Sequence, residues 1–126
     1  MNIEIYTDGK PRLYYKVDGV ASTVLFSTDI RSEKLTHIAI VIDGLEARLF
    51  VNGELAETKA LASALPEKLE NLCIGGDNRT SDPQYFAGEL YTVHLFDDVR
   101  TADEIKIDSF GVASEEQGLV FAKNRK

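Results

Sequence analysis

The chain has 126 residues, of which 44% are hydrophobic and 28% charged, the make-up of an ordinary globular protein long enough for one core. Its formal charge is −7, from 14 Lys and Arg against 21 Asp and Glu. The basic residues are scattered apart from Lys123-Asn124-Arg125-Lys126, which argues against nucleic acid and an anionic membrane surface as partners, and no apolar run approaches the ~20 residues that span a bilayer.

The opening Met1-Asn2-Ile3-Glu4-Ile5-Tyr6 lacks the basic region and apolar stretch of a signal peptide. Ile3 and Ile5 alternate with polar neighbours and predict a first short strand. Asp8-Gly9-Lys10-Pro11 is a turn. Leu13, Tyr15 and Val17 alternate with Arg12, Tyr14 and Lys16, the pattern of a strand with one wet face. After a turn at Asp18-Gly19, Val20 to Phe26 is rich in β-branched residues and predicts a third strand. Turns every ~8–10 residues are the rhythm of a β-sandwich.

Ser27 to Lys34 reads as a polar connection. Ile38 to Ile42 is apolar on both faces and predicts a central strand covered on both sides. Its partner follows the Asp43-Gly44 turn, with Ala47, Leu49 and Val51 on one face and Arg48 and Phe50 on the other. Asn52-Gly53 is a type I′ hairpin signal, because both central residues need φ > 0. Leu55 to Thr58 returns. Residues 59–71 read mostly as loop, since Pro66 interrupts the helical spacing of Leu61, Leu65 and Leu69.

Leu72-Cys73-Ile74 predicts a short buried strand ending at Gly75-Gly76. The lone Cys73 has no internal partner for a disulfide and reads as a buried thiol rather than a nucleophile. Asp77 to Gln84 is a polar loop. Phe86 to Phe96 reads as a long strand. Phe86 and Leu90 share one phase and Val93 and Leu95 the other. A bulge near Tyr91-Thr92, or burial on both sides, would reconcile them. Thr101-Ala102-Asp103-Glu104 is a capping box, predicting a helix from Ala102 to about Asp108 with Ile105 inward. Gly118 to Ala122 reads as a last strand and the basic tail as frayed.

Several of these stretches together resemble the laminin G-like, concanavalin A-like jelly-roll family. Thr36-His37-Ile38-Ala39 through Asp43-Gly44, then Leu49-Phe50-Val51-Asn52-Gly53, is similar to its central strands. Ile74-Gly75-Gly76 followed by Tyr85-Phe86-Ala87-Gly88-Glu89-Leu90 is similar to its "IGG … YFxGxI" segment, and Arg100-Thr101-Ala102-Asp103-Glu104-Ile105 to its capped helix. Gly118-Leu119-Val120-Phe121 resembles its closing strand. Two departures stand out. Leu35 replaces the usual Trp before the Thr-His pair, and the family's first core strand has no counterpart here.

The resemblance implies an all-β, two-sheet antiparallel sandwich with one short helix, spanning residues 1–126 as one domain that lacks an N-terminal strand. It implies a noncatalytic accessory module of a larger secreted or cell-surface protein, binding carbohydrate or a protein partner, sometimes with calcium. Neighbouring domains of that larger chain are further expected partners. A spacer beside a hydrolase domain is the alternative, and a glycosidase a third.

The loop Asp77-Asn78-Arg79-Thr80-Ser81-Asp82 is the most chemically loaded. Asp77, Asn78 and Asp82 supply oxygens of the kind calcium takes. The same residues also suit a solvated turn, and Arg79 competes for the carboxylates. A sugar site needs aromatic faces and planar polar side chains. Tyr14 and Tyr85, with Arg79 and Asn78, are the first candidates, and Tyr6 and Tyr91 the next. The same tyrosines also suit packing at a sheet rim. A glycosidase needs a carboxylate pair flanking a cleft. Glu54 and Glu57, and Asp97-Asp98, read instead as solvated. His37 and His94 have no Cys, His or Glu at a metal spacing.

Overall fold

The computed structural model describes residues 1–66, 75, 76 and 85–114, the last four as backbone only. Six strands and one helix follow in order: β1 (Asn2–Ile5), β2 (Pro11–Val17), β3 (Val20–Leu25), β4 (Ile38–Asp43), β5 (Glu46–Val51), β6 (Glu54–Ala60) and α1 (Ala102–Ser114). They form two antiparallel three-stranded sheets, β1-β2-β3 and β4-β5-β6. Each sheet is a meander, so every pairing is between chain neighbours. Two of its turns place an Asx-Gly pair in the left-handed region, Asp18 and Gly19 at φ 50° and 78° and Asn52 and Gly53 at φ 50° and 83°. That matches the right-handed twist of the strands they join.

The sheets face each other across one core. Leu13, Tyr15, Val24 and Phe26 of the first meet Ala47, Leu49 and Leu61 of the second half. Leu13 and Leu49 are fully buried, a burial that stabilises by about 1.5–3 kcal/mol each. The Tyr15 hydroxyl reaches through this core to donate to the Ser63 carbonyl at 2.8 Å, and accepts from the Ser63 N–H at 3.3 Å. It thereby ties the segment after β6 to β2. On the opposite face of the second sheet, Val41 and Phe50 pack with Ile105 of α1. Strand β5 therefore feeds two cores with alternate side chains, as its sequence predicts.

The capping box forms. The Glu104 N–H donates to Thr101 Oγ1, and the Thr101 N–H donates to Glu104 Oε1, each at 3.2 Å. The helix does not stop at Asp108 but runs 13 residues to Ser114. The helix runs on through Ser109 and Gly111; before that point, Asp108 pairs with Arg100 at 3.1 Å and Lys106 with Glu54 at 3.1 Å.

Three other expectations are corrected. Among the described residues β5, not β4, is the central strand. Both faces of β4 are nonetheless covered, Val41 against α1 and Ile40 and Ile42 against the main core. Residues 86–96 form no strand; the structure gives one isolated bridge, Gly76 to Tyr85. The register shift lies between Leu49 and Phe50 of the β5–β6 pair rather than near Tyr91. In this stretch Phe96 lies under the Arg100 guanidinium at 4.0 Å, while Phe86, Leu90 and Leu95 are exposed. The strands expected at 72–74 and 118–122, and the thiol of Cys73, lie outside the described residues.

Candidate functional site

The end of the first sheet is built around the β1–β2 turn. The Tyr6 N–H donates to the Lys10 carbonyl at 3.1 Å, the Gly9 N–H to the Tyr6 carbonyl at 2.8 Å, and the Lys10 N–H to Asp8 Oδ1 at 3.1 Å. Gly9 has φ +77°, and a Cβ there would sit 2.1 Å from Asp29 Oδ1. A side chain there would strain the backbone and have to displace Asp29 and Arg31. The Ile30 N–H donates to the Gly9 carbonyl at 2.9 Å, and Arg31 donates to the Thr7 carbonyl at 3.2 Å. The loop after β3 is thus laid against this turn. Hydrogen bonds from Arg31 hold the Asp29 carboxyl at about 2.

The other end of that loop is clamped by Glu57 of β6. Its carboxylate accepts from the N–H and hydroxyl groups of both Ser27 and Thr28, at 2.7–2.9 Å. Burial alone would raise its pKa, but these donors outweigh it and hold the group at about 2. Glu57 is therefore not the solvated carboxylate its sequence context implies; its side chain is 13% exposed.

Between turn and loop lies a hollow of about 350 Å³. Tyr6, Lys10, Arg12, Leu25 and Lys59 line it, with Asp8 as the carboxylate among them. The Arg12 guanidinium stacks over the Tyr6 ring at 4.2 Å and pairs with Glu4, its cross-strand neighbour. Its Nε is buried without a hydrogen-bond partner. Lys10 and Lys59 sit 4.0 Å from Asp8 and 3.7 Å from Glu57, both half-exposed. This arrangement can do two things. An aromatic edge with apolar Leu25 beside it accepts a flat apolar surface, and the cations donate to oxygens. Among the described residues Asp8 is the one carboxylate in that lining.

A second polar cluster sits under α1. Buried Arg100, 5% exposed, pairs with Glu104 and Asp108. His37 and His94 flank it, with His37 Nδ1 and His94 Nε2 buried and unbonded. Burial depresses the His37 pKa; Asp108 opposes that and His94 adds to it. The His37 backbone is fixed by the Asn52 side chain and N–H, at 2.9 and 2.7 Å. No group of three metal-binding side chains occurs among the described residues. This cluster is an anchor for the helix.

Of the residues singled out in the sequence, Tyr14 lies half-buried on the outer face of β2, in phase with Arg12 and opposite Thr23. Tyr85 is 74% exposed at the Gly76 bridge. No contact among the described residues joins the two. Asp77, Asn78, Arg79 and Asp82 lie outside the described residues. Tyr6 proves better placed than Tyr85. Lys10, Arg12 and Lys59 were missed, because only the fold brings β6 to the β1–β2 turn. The signal for Arg12 was its register: it and Glu4 share the wet phase of adjacent strands.

Comparison with known proteins agrees with this architecture. A laminin G-type family model, described as the concanavalin A-like lectin/glucanases superfamily, matches residues 1–106. No curated protein matches the chain. A crystal structure of an S-layer domain-containing protein (residues 221–444) from Clostridium thermocellum is similar with a TM-score of 0.55 and 24% identity. The likeness covers 82% of this chain and 52% of that one, so this chain spans about half its length. At that identity the likeness bears on fold alone. No described helix is long and apolar enough to cross a membrane. With facing meanders, the capped helix against the second sheet and a family match over most of its length, the chain belongs to the concanavalin A-like lectin/glucanase superfamily.

Proposed function

We propose that this chain is a noncatalytic recognition module of a larger protein, and that it takes a saccharide in the hollow between the β1–β2 turn and the loop after β3. The observation that carries this reading is the Tyr6–Arg12 stack with Lys10 and Lys59 around one open volume. An aromatic ring beside charged donors is the pairing that sugar rings and hydroxyls need. Tyr14, in phase with Arg12, extends the same face and adds a second ring. Superfamily membership and the S-layer domain title of the similar structure support placing the module outside the cell or on its surface. Calcium at Asp77, Asn78 and Asp82 belongs to this proposal as an accessory ligand.

The test is a glycan array followed by titration of the best binder. Tyr6→Ala and Lys10→Ala should each weaken binding about tenfold or more, with the fold intact. Repeating the titration with calcium and with chelator reads the accessory ligand. Absence of binding to any glycan would leave the second reading, a packing or spacer domain. That reading has its own observation: Phe86, Leu90, Leu95, Ile107 and Phe110 are large, apolar and 42–67% exposed.

A further inference from the structure

The outer strand β3 is unlike the other free edges of the two sheets. Strand β1 carries Glu4, β4 ends in Asp43, and β6 carries Glu54, Glu57 and Lys59. Such charges are how exposed edges avoid pairing with other strands. Strand β3, Val20-Ala21-Ser22-Thr23-Val24-Leu25, has no charge and no proline. Its Val20 and Leu25 are 68% and 61% exposed, and among the described residues no strand pairs with its outer side.

The ladder with β2 fixes which backbone groups point outward. Val17 and Val20 flank a two-residue turn, which makes them a hydrogen-bonded pair. At the other end the Phe26 N–H donates to the Pro11 carbonyl at 3.1 Å. Antiparallel pairs alternate, so Val20, Ser22, Val24 and Phe26 turn their backbone groups to β2. Ala21, Thr23 and Leu25 turn theirs away from the sheet.

We propose that β3 pairs antiparallel with β3 of a second copy of this chain, about a two-fold axis through Thr23. The outward groups of Ala21, Thr23 and Leu25 then exchange hydrogen bonds with the same three residues of the copy. Thr23 faces Thr23, a favourable cross-strand pair. Ala21 faces Leu25, small against large. A slip of one residue would set outer-face side chains against inner-face ones, so the register is specified. The occupant is a second copy because two-fold pairing sets each strand against itself. A neutral strand meets no like charge in that arrangement, whereas the charged edges would. The first sheets of the two copies join into one continuous sheet.

Sedimentation velocity from micromolar to millimolar protein, with amide hydrogen exchange, tests this. The expected result is a concentration-dependent dimer in which the Ala21, Thr23 and Leu25 amides gain protection. Thr23→Pro removes an outward N–H and no bond to β2, so it should raise the dimer dissociation constant at least tenfold without unfolding the chain. Thr23→Lys places a charge against its own copy and should do the same if the proline variant misfolds. A wild type that stays monomeric throughout overturns the proposal. So does a dimer unmoved by both substitutions, or a monomer whose three outward amides are already protected.

Discussion

Glu57 accepts hydrogen bonds from residues about thirty positions earlier in the chain, and its weight can be read directly. Its folded pKa, about 2, lies below the ordinary 4.5. A depressed carboxyl contributes stability that is complete above its unfolded value and lost as pH falls through the folded one. Its contribution should therefore decline between about pH 4.5 and 2. Glu57→Gln keeps one acceptor and loses the charge. It should cost about 1–3 kcal/mol at pH 7, and urea midpoints should converge with wild type near pH 2. Tyr15→Phe should cost about 1 kcal/mol by stranding both backbone groups of Ser63; thermal melting reads it. Neither role was legible in the sequence. A carboxylate in a polar strand looks solvated until the fold supplies its donors, and the register of β2 gives burial for Tyr15 but not the destination of its hydroxyl.

The helix and the β5–β6 turn form the next level. Gly53 at φ +83° has no room: a Cβ would lie 2.6 Å from Ser109 Oγ and 3.2 Å from the Lys106 Cα. Gly53→Ala should lose at least 1–2 kcal/mol from backbone strain alone and loosen α1, seen as reduced helical ellipticity before the main transition. Arg100→Ala should cost roughly 2–3 kcal/mol, since it removes the buried cation that pairs with both Glu104 and Asp108, and denaturant unfolding measures it. The start of this helix was legible because a capping box is local. Its end was not, because Asp108, Ser109 and Gly111 are poor helix formers that stay helical in the fold. The same contrast separates the strands. β2 to β5 follow alternation and turn chemistry, both local. Residues 86–96 alternate too, yet form no strand, and alternation alone does not supply the partner a ladder needs.

At the scale of the molecule, groups titrating in two pH ranges shape the response to acid. His37 has a pKa depressed below 6.5 by burial, so the unfolded chain takes its proton first. Stability is full above 6.5 and falls as pH drops below it. Asp108 opposes this and neighbouring His94 deepens it. Melting temperature should drop in two steps, one below pH 6.5 and one below 4.5. His37→Gln should flatten the first, and Glu57→Gln should weaken the second, which the depressed Asp29 carboxyl shares. The sandwich itself was legible, because two meanders with Asx-Gly turns and one apolar phase each have few other ways to bury their faces. The hollow was not, since it joins β6 to the β1–β2 turn across two sheets.

Strand β5 sends Leu49 to the core between the sheets and Phe50 to the core under α1, with both neighbours only a tight turn away. Contacts of such short sequence separation form early, because little chain entropy opposes them. The β4–β5–β6 meander is therefore the expected folding nucleus, with sheet docking and helix docking following as two separate growths from it. Conservative substitutions at Leu49 and Phe50 should give φ-values well above those at Leu13 or Ile105. One short strand would then set the folding rate, while the surfaces it organises on either side set how slowly the chain comes apart.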